Sequence, residues 1–103
     1  MKNLKHTKGK WIANLNDGLD NMHVESKRQD GSWKHIAHVY TETHNPPRYE
    51  EAEANARLIA SAPELLEALT ELLASYKLNV KEKYHSTSEF IINAEKAINK
   101  ATE

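Results

Sequence analysis

Two sets of residues in this chain have types and spacings that could do chemistry. The first is built on histidine, of which there are six. If Asp30-Gly31 closes a two-residue hairpin turn, His23 faces His38 across the hairpin with Glu25 nearby. Two imidazoles and a carboxylate are a zinc or nickel donor set, but the spacing is tolerable rather than diagnostic. Histidine is equally an ordinary polar residue of a solvated sheet face, so no bound metal is expected. The second set gathers around residue 50. Asn55 and Arg57 are placed in the first turns of a helix after a proline-containing loop, where free backbone N–H groups and the helix dipole favour an anion. Arg57 offers a planar fork for phosphate or carboxylate, and Asn55 can donate and accept toward a base edge or a ribose hydroxyl. Arg48 would add a phosphate contact, while the rings of Tyr49 and Trp11 could stack on a nucleobase for about 1–3 kcal/mol per base. These five, Trp11, Arg48, Tyr49, Asn55 and Arg57, form the candidate ligand site. A plainer reading stands beside it. Glu50, Glu51 and Glu53 already complement the helix dipole, Arg57 can pair with Glu53 at i, i+4 spacing, and Trp11 can serve the core.

Catalysis finds little support. No G-x-S-x-G string marks a serine nucleophile, and the three glycines build neither of the phosphate-cradling loops G-x-G-x-x-G and G-x-x-x-x-G-K-[ST]. With no cysteine there is no thiolate nucleophile, disulfide or cysteine-ligated metal. A protein that is not an enzyme and uses no cofactor is expected, in the cytoplasm. The start MKNLKHTKGKWIANL has positive charge but no apolar stretch after it, and nothing approaches the roughly 18 apolar residues of a membrane span.

The elements that must position these residues change character near position 50. Before it, runs rich in Trp, Ile, Val and Tyr (9–15, 22–29 and 32–40) are separated by Asn16-Asp17-Gly18 and Asp30-Gly31. An Asp-Gly pair between such runs signals a hairpin, because a type I′ turn needs positive φ at both central residues. A meander of about three antiparallel strands follows. A two-residue turn sets Val24 against Ala37, Met22 against Val39 and Arg28 against Trp33. That puts Trp33 and His35 on the core face and gathers His23, Glu25 and Lys27 with His38, Ile36 and Lys34 on a polar face. Tyr40 falls on the outward face beside His38, and His6, His44 and His85 read as loop or terminal residues.

Beyond the loop 41–47, with its two prolines, the period becomes helical. Ala52, Ala56 and Ile59 share a face that Leu66 and Leu73 continue, and Leu65, Leu69, Leu72 and Tyr76 widen it enough to cover a sheet. Ser61-Ala62-Pro63-Glu64 is a capping-box string that starts a second helix or kinks one long helix. Ser86-Thr87-Ser88-Glu89 is another, opening a last helix with Phe90, Ala94, Ala97 and Ala101 at helical spacing and Ile91 and Ile98 alongside. The fold class is therefore α+β: a small N-terminal antiparallel sheet and two or three C-terminal helices, in one domain over 1–103, with a β meander at 1–45 and a helical half at 50–103.

The string Glu51-Ala52-Glu53-Ala54-Asn55-Ala56-Arg57-Leu58-Ile59-Ala60-Ser61-Ala62-Pro63-Glu64-Leu65-Leu66-Glu67-Ala68-Leu69 resembles a block found in small phage and prophage proteins. Their layout is a His-Thr-Pro-Gly-Pro-Trp-like opening, a short β region and then this block. Here the opening reads His6-Thr7-Lys8-Gly9-Lys10-Trp11, with lysine at both proline positions. The match covers roughly residues 6–76, and most members of the group have no assigned activity. The layout also resembles, more distantly, the viral nucleotide-sequestering sponge proteins that counter Thoeris-type antiphage immunity. That resemblance implies an N-terminal sheet with C-terminal helices, assembly into dimers or hexamers, and capture of a cyclic ADP-ribose-type signal without cleavage.

Length and charge bound the partners. At 103 residues the chain has room for one core, and its mean hydropathy of −0.77 makes that core thin, so a homo-oligomer is expected to hide the remaining apolar area. A formal charge of −1, from 14 Lys+Arg against 15 Asp+Glu, argues against nucleic acid as a partner. The basic excess lies in residues 1–50 and the acidic excess in 51–103. Two functions compete: sequestration of a cyclic nucleotide immune signal by a phage protein, and binding of a host or phage protein through the helical half.

Overall fold

The computed structural model describes residues 4–15, 22–40 and 49–103. Three antiparallel strands, β1 (Trp11–Asn14), β2 (His23–Lys27) and β3 (Trp33–His38), lie side by side in chain order. Helices α1 (Tyr49–Ala60), α2 (Ala62–Asn79) and α3 (Glu89–Ala101) follow, with one 3-10 turn at Glu82–Tyr84 before the last. This is the α+β order read from the periodicities. Asn16-Asp17-Gly18, the loop 41–47 and Arg48 lie outside the described residues. The chain divides into two compact units, residues 7–63 with the sheet and α1, and residues 64–103 with 4–6.

The β2–β3 hairpin departs from its expected register in two compensating steps. The Arg28 N–H donates to the Ser32 carbonyl at 2.7 Å and the Gly31 N–H to the Arg28 carbonyl at 3.0 Å, so the loop holds three residues, Gln29, Asp30 and Gly31, rather than two. Gly31 has φ +91, the left-handed residue that ends a type I turn in three-residue hairpins. Asp30 tightens the loop by accepting from the Ser32 hydroxyl at 2.6 Å and the Ser32 N–H at 2.8 Å. Those bonds, helped by the Arg28 charge, hold its carboxyl below the usual 3.8. The longer turn pairs Lys27 with Trp33, Ser26 with Lys34 and Glu25 with His35. A bulge then restores the expected register, with Val24 opposite Ala37 and His23 opposite His38. Ile36 is the extra residue.

The slip moves the side chains of Trp33, Lys34, His35 and Ile36 to the face opposite the one expected, because strand side chains alternate, and sets Lys34 opposite Ser26. Trp33 is not a core residue: it is 43% exposed, and the Lys27 ammonium lies 5.6 Å from its ring centre. His35 stands opposite Glu25 on the outer face, and Ile36, expected among the polar residues, packs with Ala37 against the core. Gly31→Ala is expected to cost about 1 kcal/mol through left-handed strain alone, since a Cβ there meets no atom within 4 Å. Urea denaturation checks this, with Gly31→Asn losing less because asparagine tolerates that conformation.

Met22, Val24, Val39, Ala52 and Ala56 are buried together, with Trp11, Ala13, Leu15, Tyr49 and Ile59 packed around them. The two alanines sit one helical turn apart, which lets α1 approach the strands closely. It is α1 that covers the sheet. Of the α2 residues expected to do so, Leu65, Leu72 and Tyr76 are exposed and Leu69 is half-buried, and no residue of α2 is fully buried. Ser61 separates α1 from α2, its N–H donating to the carbonyls of Arg57 and Leu58 at 3.0 and 3.2 Å, so the chain has two helices here, with Pro63 in the first turn of the second.

In residues 64–103 the last helix starts two residues later than the Ser86 box would set it. Ser88 is the N-cap, its side chain accepting from the Ile91 N–H, because the preceding residues are taken by the 3-10 turn and its backbone bonds. His85 is half-buried rather than a free loop residue: its Nε2 lies 3.1 Å from the Lys77 carbonyl and 2.9 Å from that of Val80. Both partners only accept, so Nε2 carries hydrogen and closes the C-terminal end of α2. Lys77 reaches Glu95 of α3 at 2.8 Å, and Ile91 is buried.

Candidate functional site

Among the described residues, the tightest cluster of reactive side chains lies on the outer face of the sheet. His23 and Glu25 are two residues apart on β2, hence on one face, and the three-residue turn carries His35 of β3 opposite Glu25. His23 Nε2 lies 2.9 Å from Glu25 Oε2. The rings of His23 and His35 stack at 4.8 Å between centres and 23° between planes. One donor atom from each of the three lies within 4.8 Å of the others. On β1, Asn14 sits opposite His23 and donates from Nδ2 to the other Glu25 oxygen at 3.2 Å. Every strand therefore contributes. The sequence pointed to His23, Glu25 and His38; His38 does lie opposite His23, but the third member of the cluster is His35. Tyr40, on the same side of the reading, is 76% exposed.

The other candidate residues fall elsewhere in the unit formed by residues 7–63. Trp11 is half-buried against the core, its indole N–H donating to the Thr7 carbonyl at 3.0 Å. Tyr49 also packs against the core. Because α1 begins at Tyr49, Asn55 lies past its first turn and Arg57 in its last. The unpaired N–H groups of the helix start thus belong to other residues. Both side chains are exposed, and residues two apart on a helix point in different directions. Arg57 lies 3.8 Å from Glu53, the i, i+4 pair weighed from the sequence, in a weak exposed form.

A family model described as Salmonella phage P22 protein Y8K6 matches residues 1–103. The chain belongs to this family. Phage origin, read above from the block at 51–69, therefore applies to the whole chain of this Y8K6-family protein. Comparison with the curated proteins and with the solved structures gives no match. Among the described residues, no helix of the Y8K6-family chain is long and apolar enough to cross a membrane.

Proposed function

We propose that this phage protein acts by binding, without turnover, in the cytoplasm of the infected cell, and that its helical half grips a host or phage protein. The observation that carries the reading is the state of α2. Over 18 residues none is fully buried, and Leu65 and Leu72 are 53% and 68% exposed, with Tyr76 exposed on the same stripe. Spacings of seven and four residues align these three along one side of the helix. Apolar area in such a row is costly in water and matches the anchor pattern of a helix laid into a partner's groove. The half-buried Leu66, Leu69 and Leu73 mark the inward side, so the stripe is surplus to the helix's own packing. Leu72→Glu is expected to leave the circular-dichroism spectrum and thermal midpoint nearly unchanged while removing a specific partner captured from phage-infected cells. Equal capture by both forms would end this reading. Light scattering on the same samples measures the homo-oligomer that the apolar surplus also suggests.

A second reading keeps the cyclic nucleotide ligand. What supports it is the resemblance of the layout to the sponge proteins and the accessibility of Asn55 and of Arg57, which pairs loosely with Glu53 at 3.8 Å. Trp11, Arg48 and Tyr49 complete the set. A native-state ligand at about 100 times its Kd adds roughly 2.7 kcal/mol of stability. A panel of cyclic ADP-ribose isomers and cyclic di- and trinucleotides tests it: one compound should raise the thermal midpoint, lose that effect in Arg57→Ala and be recovered intact. A flat panel removes it.

A further inference from the structure

We propose that His23, Glu25 and His35 form a binding site for one divalent transition-metal ion of the zinc type, with Asn14 as the residue that positions Glu25. Two neutral imidazoles and one carboxylate are the three-ligand set that leaves a fourth position open on zinc, and nitrogen donors favour such ions over calcium or magnesium. Bonds of about 2.0–2.1 Å in tetrahedral geometry put neighbouring donor atoms about 3.3 Å apart. The His23–Glu25 pair stands at 2.9 Å and the whole set within 4.8 Å. Shifts of about 1.5 Å at side-chain ends would close it. His35 is exposed and free to turn.

Two further features fit an ion. The His23 and Glu25 side chains are only 15% and 11% exposed, so a charge between them is poorly screened by water. Glu25 shows one oxygen to His23 and receives the Asn14 amide on the other, the outer-layer hydrogen bond that orients a metal-binding carboxylate. The site exists only because of the register slip. With a two-residue turn His35 would point to the other face.

The test titrates tag-free, chelator-treated full-length protein with zinc chloride by calorimetry at pH 7.5, and with cobalt(II) by visible absorption. One saturable equivalent is expected, with a rise in thermal midpoint of at least about 5 °C at 100-fold excess over Kd. His35→Ala should abolish it, and Asn14→Ala should weaken it about 10- to 100-fold. His38→Ala should leave it intact. Because His35 is exposed, its alanine variant folds, which circular dichroism verifies in each sample. The proposal is overturned if neither ion saturates, if His35→Ala binds as the parent does, or if His38→Ala loses the ion instead.

Discussion

Met22→Ala is expected to destabilise the protein by about 3 kcal/mol, within the range of roughly 2–5 kcal/mol for truncating a buried methionine. Met22 is fully buried in a core of five residues shared by β2, the segment after β3 and α1. With so few members, each carries a large share of the apolar burial, and the cavity left by a methionine has few neighbours able to collapse into it. The thermal midpoint should fall by about 15 °C, since 1 kcal/mol is worth about 4–8 °C in a domain of this size. Ile12→Ala is the control: Ile12 is exposed on the neighbouring strand and should cost well under 1 kcal/mol. If Met22→Ala costs no more than Ile12→Ala in urea denaturation, α1 does not pack on the sheet as described. The consequence reaches the outer face, because the backbone that buries Met22 and Val24 inward turns His23 and Glu25 outward.

Ile91→Ala is the second large effect, also about 3 kcal/mol, but read within residues 64–103. Ile91 is the one fully buried apolar side chain described in that stretch. Its own N–H is held by the Ser88 cap, so this residue joins the start of α3 to the unit's interior. Thirteen residues make a helix too short to persist in water on propensity alone. Losing the anchor should therefore release α3 as a whole. Amide hydrogen exchange measures this directly: protection over residues 92–101 should collapse together. Protection lost only near residue 91 would mean that the Lys77–Glu95 pair and the caps suffice to hold the helix.

Much of the architecture was legible because hydrophobic period and breakers report local structure. The alternation before residue 40, the prolines at 46 and 47 and the 3.6-residue spacing after Tyr49 indicated about three strands followed by two or three helices, and the structure has three of each in that order. The pairing of Met22 with Val39 and of Val24 with Ala37 followed as well. Ser61 and Ser88 lay in strings recognised as breaks, although the cap of α3 shifted by two residues because a 3-10 turn took up the start of its string.

The candidate site was less legible, and the reason lies in one turn. Asp30-Gly31 suits both a two-residue turn and a three-residue loop ending in a left-handed glycine, since each needs positive φ at Gly31. The sequence by itself determined that a hairpin would close here, and that histidines and Glu25 would meet on one side of it. Only the tertiary structure decided which histidine. The backbone bonds of Arg28 to Ser32 and Gly31 chose the longer loop, and the bulge at Ile36 returned the strand to the register in which Ala37 and Val39 reach the core. Likewise the leucine spacing determined an amphipathic α2, but it is α1 that packs on the sheet, and Leu65, Leu72 and Tyr76 of α2 are exposed. Period 2 and period 3.6 specify which residues share a face. Which face is buried depends on what packs against it, and that is decided between elements far apart in the chain.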